Sequence, residues 1–481
     1  MEKSTFLYTA KTYILPDLSR RFRPFWALHR SAEVKAFGRN FTLWAVYTGL
    51  MCIATSILLY LFAVNSGIGK WLSLLFVFLA LTGPASVIWY QYAHSENLGM
   101  FFLSLSLFFL AKAVYPAINS SFFKILFAVS LILTMLCKES FLLAVPAVLF
   151  LYIWLWSAHR NAGLYESFKK NKAVLLIPFT FSVMLTAAVL IYIGSDKPLY
   201  AGVDSGIISA GFITGILNAL SEINLFWLMI AGFVIIFVIQ QFISGNDDRK
   251  ESSEQQEFNF INPVIFFILI FISQYALYYK SGFHTRYYLP LISGFAFIII
   301  YTTDCILKNK TVPNFTKYGY ILFIVILIIF NTVIYTLPDI VEFNKDRKAT
   351  TNLLNSNLER QKENSETLIV MDPVHHWGFG KSFYLYMTNS GGKGKMNFTF
   401  IKLDTMIYPY TDSVLYNITE VYTKKYFTGQ IYDSAAGYKN FDLINIFPGL
   451  EERFISENSG WFRRENYSRK DFGEYMLFTR K

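Results

Sequence analysis

Charge is scarce in this chain and cysteine scarcer: of 481 residues, 16% are Asp, Glu, Lys or Arg and only 3 are cysteine. A soluble domain carries about 25% charged and roughly 45–50% apolar residues. Here 54% are hydrophobic and the mean hydropathy is +0.38. So little charge excludes an ordinary soluble enzyme and any disordered class. Cys52, Cys137 and Cys305 fall in or at the ends of apolar runs. The polar C-terminal part therefore has neither a disulfide framework nor a cysteine zinc site. A GxxxxGK[ST] phosphate loop, a GxSxG elbow and an HExxH helix are also missing. Their absence argues against an ATP-driven pump subunit, a serine hydrolase and a zincin. The first 30 residues show no apolar h-region with a small-residue cleavage site, so no cleavable signal peptide is visible.

What the chain does have is long apolar runs up to residue 337. About 20 largely apolar residues cross a roughly 30 Å hydrocarbon core as a helix, and lipid leaves the backbone few other options. Ten runs meet or approach that length: approximately 41–65, 71–92, 98–114, 122–137, 141–157, 173–194, 224–244, 259–279, 287–306 and 318–337. The expected fold is an all-α polytopic membrane bundle of about ten transmembrane helices. A small C-terminal α/β domain follows it. In that tail, short apolar stretches at 367–371, 398–401, 442–446 and 475–479 alternate with turn residues, after a polar helical stretch near 344–363. The expected division is 1–40 as a juxtamembrane segment, 41–337 as the membrane domain and 338–481 as a soluble domain. The run 245–256 reads as a polar loop.

The formal charge of +10 is not a nucleic-acid signal. From Pro338 to Lys481 there are 19 Lys/Arg against 18 Asp/Glu, so +9 of the excess lies in the membrane-rich part. Basic residues there suit phospholipid headgroups or a phosphorylated lipid better than DNA. With an even number of spans the N-terminal stretch and the tail share one side of the membrane. Basic loops at 158–172, 245–258 and 307–317 would be cytoplasmic by the positive-inside tendency. The eight Lys/Arg of residues 1–40 count against that orientation, and the rule alone is close to a draw.

On the side shared with the termini, polar residues gather at helix ends. Ionisable groups at such depth usually face a protein interior or a wet cavity, although single residues also serve as caps or snorkel to headgroups. Four stretches stand out. In RRFRPFW, residues 20–26, three arginines beside Phe and Trp suit either an interfacial anchor or bidentate phosphate binding. His94-Ser95-Glu96-Asn97 is a break scarcely long enough for a turn. It reads as a helix-starting capping box or as a confined carboxylate fit for acid/base work. Lys138, in Cys137-Lys138-Glu139-Ser140, is a candidate phosphate ligand or a counter-ion for Glu139. In His284-Thr285-Arg286-Tyr287-Tyr288-Leu289-Pro290 an arginine stands at a helix start with Pro290 in the first turn. The dipole there is unfavourable to a cation unless an anion lies nearby. In the tail, Asp372, His375 and His376 suggest metal ligation only weakly, because adjacent histidines of an extended segment point to opposite faces. Sequons such as Asn397-Phe398-Thr399 arise by chance in an Asn-rich chain.

These motifs, in this order, resemble those of the polytopic GT-C glycosyltransferases, especially the branch of protein O-mannosyltransferases and bacterial aminoarabinose transferases. The resemblance rests on Arg23-Pro24 followed by Gly38 and a span, Ser95-Glu96 opening a span, Lys138-Glu139 opening another, and Arg286-Tyr287-Tyr288-Leu289-Pro290 opening a later one, within about residues 17–306. It implies an inverting transfer of a sugar from a polyprenyl-phosphate carrier to an envelope glycan, lipid or protein. The chain would lie in the inner (plasma) membrane, with the motif-bearing loops, the N-terminal stretch and the tail extracytoplasmic. By position, Glu96 and Asp17 take the carboxylate roles, as base on the acceptor hydroxyl. Lys138, Arg286, Tyr287 and His94 take the lipid phosphate, and Arg23 shapes the first loop. No cofactor is implied beyond a divalent cation compatible with such a site. The family usually begins with a span and an aspartate-bearing external loop, whereas no span precedes Asp17. Either a first segment is lacking or Asp17 substitutes for that aspartate. Two rival readings from other classes are a secondary transporter or lipid flippase, for which Asp304 is the nearest thing to a mid-membrane charge, and a non-catalytic membrane scaffold.

Overall fold

In the computed structural model the apolar runs become helices. The structure describes residues 5–8, 10, 11, 14, 22–38, 40–90, 94–115, 120–193, 261–278, 288–309, 312–361, 364–372, 383, 386, 387, 390–401 and 441–481. The chain divides into two compact units, Met1–Ile340 and Val341–Lys481.

In the first unit α1 is Pro24–Phe37, with Pro24 opening it where a missing N–H costs nothing. α2 is Phe41–Asn65, capped by Asn40, whose side chain accepts from Leu43 N at 3.1 Å. α3 (Lys70–Leu81) is followed by a short 3₁₀ turn, Pro84–Trp89. Then come α4 (Ser95–Val114), α5 (Ser120–Met135), the one-turn α6 (Glu139–Leu143), α7 (Val145–Arg160), α8 (Leu164–Ile193), α9 (Ile261–Tyr278), α10 (Leu289–Lys308) and α11 (Asn314–Phe330). Six helical stretches among the described residues are long and apolar enough to cross a membrane by length and composition, and three shorter apolar helices accompany them. A large apolar core runs through them, with Phe62, Phe76, Phe127, Tyr152 and Phe297 fully buried.

The helices depart from the expected runs in two places. The run at 71–92 ends as a helix at Leu81, because Thr82, Gly83 and Pro84 interrupt it. Gly83 adopts φ +102, and its N–H donates to Thr336 Oγ1 at 2.8 Å. Thr336 closes a turn of π-helix, Asn331–Thr336, that interrupts the last apolar helix, a local irregularity common near functional sites. The short run at 141–157 is a pair of helices that breaks at Ala144, and Pro146 sits in the first turn of the second. The expected span at 224–244 and the polar loop at 245–256 lie outside the described residues.

The polar helix α12 (Leu337–Arg360) begins in the first unit and runs into the second. The second unit is a five-stranded sheet of β1 (Glu366–Met371), β2 (Lys395–Phe400), β3 (Leu443–Ile446), β4 (Tyr467–Phe472) and β5 (Tyr475–Arg480), in the order β2-β1-β3-β5-β4. β2, β1 and β3 are parallel, and β5 and β4 close the sheet as an antiparallel hairpin. Gly473, at φ +64, supplies the left-handed residue which that two-residue hairpin turn needs. β1 and β3 are covered on both faces and are largely apolar, Leu368–Met371 in β1 being fully buried and Asn445 being the polar exception in β3. β4 was not visible in the sequence, because its YSRKDF places four exposed residues between two buried ends. Inside this unit Asn357 of α12 and Asn445 of β3 exchange two amide hydrogen bonds, at 2.7 and 2.8 Å.

Candidate functional site

Three of the four polar stretches come together at the ends of α1, α4 and α5. Ser95 is the first residue of α4 and Glu96 the second, so the carboxylate sits in the first turn, where the helix dipole favours a negative charge. No capping box forms: His94 holds the cap position without a side-chain cap bond, and Ser95 Oγ instead donates to Glu96 Oε2 at 3.0 Å. Lys138 precedes α6 in an extended conformation, at φ −168 and ψ 150, which carries its side chain away from its neighbour Glu139. Its ammonium reaches Glu96 Oε1 at 2.5 Å. Both side chains are almost wholly buried, Glu96 at 3% and Lys138 at 5% exposure. The ion pair the sequence left open between Lys138 and Glu139 is thus made with Glu96.

Glu139 has another task. Its Oε1 accepts from the N–H of Phe22 at 2.6 Å, and Leu136 O accepts from the N–H of Phe25 at 3.1 Å. The Arg-Pro segment is thereby laced onto the Lys138 hinge. Arg23 caps α1, stacks over Trp26 at 4.3 Å and points Nη1 at Ser95 Oγ at 3.5 Å. An apolar wall of Met51, Leu98 and Cys137, with Phe25, Trp26 and Phe102 against them, surrounds the group. Gly99 permits the close approach of α4 to α6, since a Cβ there would meet the Phe141 ring at 2.3 Å. A buried carboxylate–ammonium pair with an arginine and a hydroxyl beside it can accept a proton and hold an anion. Such a pair is a poor source of stability and a costly one to break.

Of the remaining expected site residues, Asp17, His284, Arg286 and Tyr287 lie outside the described residues, as do His375 and His376. Tyr288 is buried and caps α10. Asp304 is an element of structure: it pairs with Lys308 at 2.5 Å and accepts from the N–H of Gly69 at 3.0 Å. Asn397 is fully buried in β2, so in the folded unit its sequon offers no accessible acceptor. Among the described residues no three His, Cys, Asp or Glu side chains gather as metal ligands.

One polar group at this site stayed inconspicuous in the sequence. Gln274, within the apolar α9, donates Nε2 to the backbone oxygen of Ser140 at 2.7 Å. The available signal was a lone amide inside an otherwise apolar run, which is costly in lipid and seldom idle.

The fold and site together describe a polytopic helical membrane protein with a small C-terminal mixed-sheet domain and a buried ion pair at one set of helix ends. No protein-family model matches the sequence, and no curated protein matches it. Among solved structures the chain is similar to ArnT from Cupriavidus metallidurans, crystallised bound to undecaprenyl phosphate. The two are 11% identical over 98% of this chain and 91% of that one, with a TM-score of 0.44.

Proposed function

We propose that the chain is a lipid-phosphosugar-dependent glycosyltransferase of the GT-C type. It moves a sugar from a polyprenyl-phosphate donor to an envelope glycan, lipid or protein acceptor at the extracytoplasmic face of the inner membrane. The observation that carries this reading is the buried Glu96–Lys138 pair, flanked by Ser95 and Arg23 at helix ends. The acceptor hydroxyl attacks the anomeric carbon from the face opposite the phosphate, and the carbon–oxygen bond to phosphate breaks with its electron pair leaving on the phosphate. Glu96 takes the hydroxyl proton, and Asp17 is the second carboxylate. The Lys138 ammonium has three donors, so one can stay on Glu96 while others meet phosphate oxygens. Arg286, with Tyr287 and His94, completes the phosphate contacts. The apolar wall keeps water away, which strengthens each of these charge interactions.

The test is transfer of radiolabelled sugar from a polyprenyl-phosphate-linked donor by protein purified in lipid nanodiscs. Glu96→Gln and Arg286→Ala are each expected to slow transfer by about a hundredfold or more, the order of magnitude of lost general-base and charge-stabilising groups. Transfer at the parent's rate by both variants would overturn the site.

A further inference from the structure

The Gln274–Ser140 contact leaves two polar atoms unexplained. Gln274 is 0% exposed and Ser140 1%. Nε2 of Gln274 is used on Ser140 O, yet among the described residues its Oε1 has no hydrogen-bond partner, and neither has Ser140 Oγ. The donation to a carbonyl fixes which amide atom is which, since the flipped amide would set oxygen against oxygen. An acceptor and a hydroxyl thus lie unmatched in a buried, water-poor place, each costing about 1–3 kcal/mol while unpaired. Ser140 is two residues beyond Lys138 and directly follows Glu139, which holds the Arg-Pro segment. Buried polar atoms left without protein partners beside a reaction site are those a ligand would satisfy.

The chemistry of the two atoms selects the ligand. An amide oxygen only accepts, so it needs a group that donates. A phosphodiester has no donor, and its negative oxygens would be repelled by that dipole. A sugar hydroxyl or a sugar ammonium donates to Oε1, and a hydroxyl also accepts from Ser140 Oγ. We infer that Gln274 and Ser140 form a subsite for a hydroxyl or amino group of the donor's sugar, distinct in chemistry from the lipid-phosphate contacts of Lys138. Gln274 would then be a specificity residue that distinguishes the loaded carrier from the bare one. This inference rests on the glycosyltransferase reading above.

The experiment measures binding of three lipids to the full chain in nanodiscs: bare polyprenyl phosphate, a polyprenyl-phosphate hexose and a polyprenyl-phosphate aminopentose. Parent protein is expected to prefer at least one loaded carrier over the bare one. Gln274→Met keeps the volume and removes the amide, and Ser140→Ala removes the hydroxyl while keeping the backbone oxygen that braces Gln274. Each is expected to weaken the preferred loaded carrier by about tenfold or more, the scale on which a site built for a hydroxyl rejects its absence, with bare carrier bound as by the parent. Lys138→Ala should weaken loaded and bare carriers together. Unchanged preference in Ser140→Ala, or equal loss of bare and loaded carrier in both variants, would overturn the subsite and leave the glycosyltransferase reading standing. A parent that binds no polyprenyl phosphate would overturn both.

Discussion

The two units bury polar side chains in opposite ways. In the first, two full charges, Glu96 and Lys138, are paired at 3% and 5% exposure, and a second charged residue, Asp304, is buried beside its lysine. In the second, the deepest polar contact is neutral, the Asn357–Asn445 amide pair, while ion pairs such as Arg469 with Asp471 and Glu451 stand at the surface. A neutral amide pair satisfies itself and stabilises a particular register of helix on sheet. A buried charge pair contributes little net stability, because desolvation consumes most of the Coulomb gain. The function proposed above uses the Glu96–Lys138 pair to take a proton and hold a phosphate.

Removing one partner sets this contrast at its widest. Lys138→Met would leave Glu96 buried without its counter-charge, and about 3–5 kcal/mol of stability should be lost, read as a fall in the melting midpoint of detergent-purified protein. The double variant Glu96→Met/Lys138→Met should recover most of that loss without recovering transfer. If the single variant melts like the parent, the pair is not sealed from water and the contrast collapses. A smaller effect is expected in the tail: Asn445→Leu strands the Asn357 amide at a cost of about 1–3 kcal/mol, seen as faster hydrogen exchange of the β1 and β3 amides. A larger loss there than for Lys138→Met would mean that depth of burial, and not charge, governs both units.

The smallest effect concerns α1. His29 Nε2 lies 2.7 Å from Tyr47 Oη, and burial, then the neighbouring Arg30 charge, lowers its pKa from 6.5 to about 4. The unfolded chain therefore takes up this proton from about pH 6.5 downward and the folded chain only near 4. Stability contributed by neutral His29 is lost as the pH falls through that window. His29→Gln should flatten the pH dependence of the melting midpoint between those values, and an unchanged slope would show that the ring is wet.

Much of this was legible beforehand. Apolar length alone announced the helices at Phe41–Asn65, Ser95–Val114 and Leu289–Lys308, because a bilayer tolerates few other backbone solutions. The four apolar stretches of the tail became β1, β2, β3 and β5, since buried parallel strands and a hairpin strand each need such a run. β4 escaped, being a mostly exposed edge that carries its signal only through pairing with β5. At the site, the charged hinges at His94-Ser95-Glu96 and Lys138-Glu139 were visible because charge at an apolar boundary is expensive. Their partners were not. Lys138 lies next to Glu139 in sequence, and an extended backbone at Lys138 sends the two side chains apart.

Composition and periodicity thus determined that this protein lives in a membrane, that a small mixed domain follows, and which residue types stand at the helix ends. Only the tertiary structure decided that Lys138 belongs to Glu96 across 42 positions, that Glu139 serves the Arg-Pro segment, and that a glutamine deep in α9 reaches the same hinge. Local sequence carries the cost of exposing or burying each residue. Which charge meets which is settled by helices brought together over long separations, where pairing is a matter of distance in space.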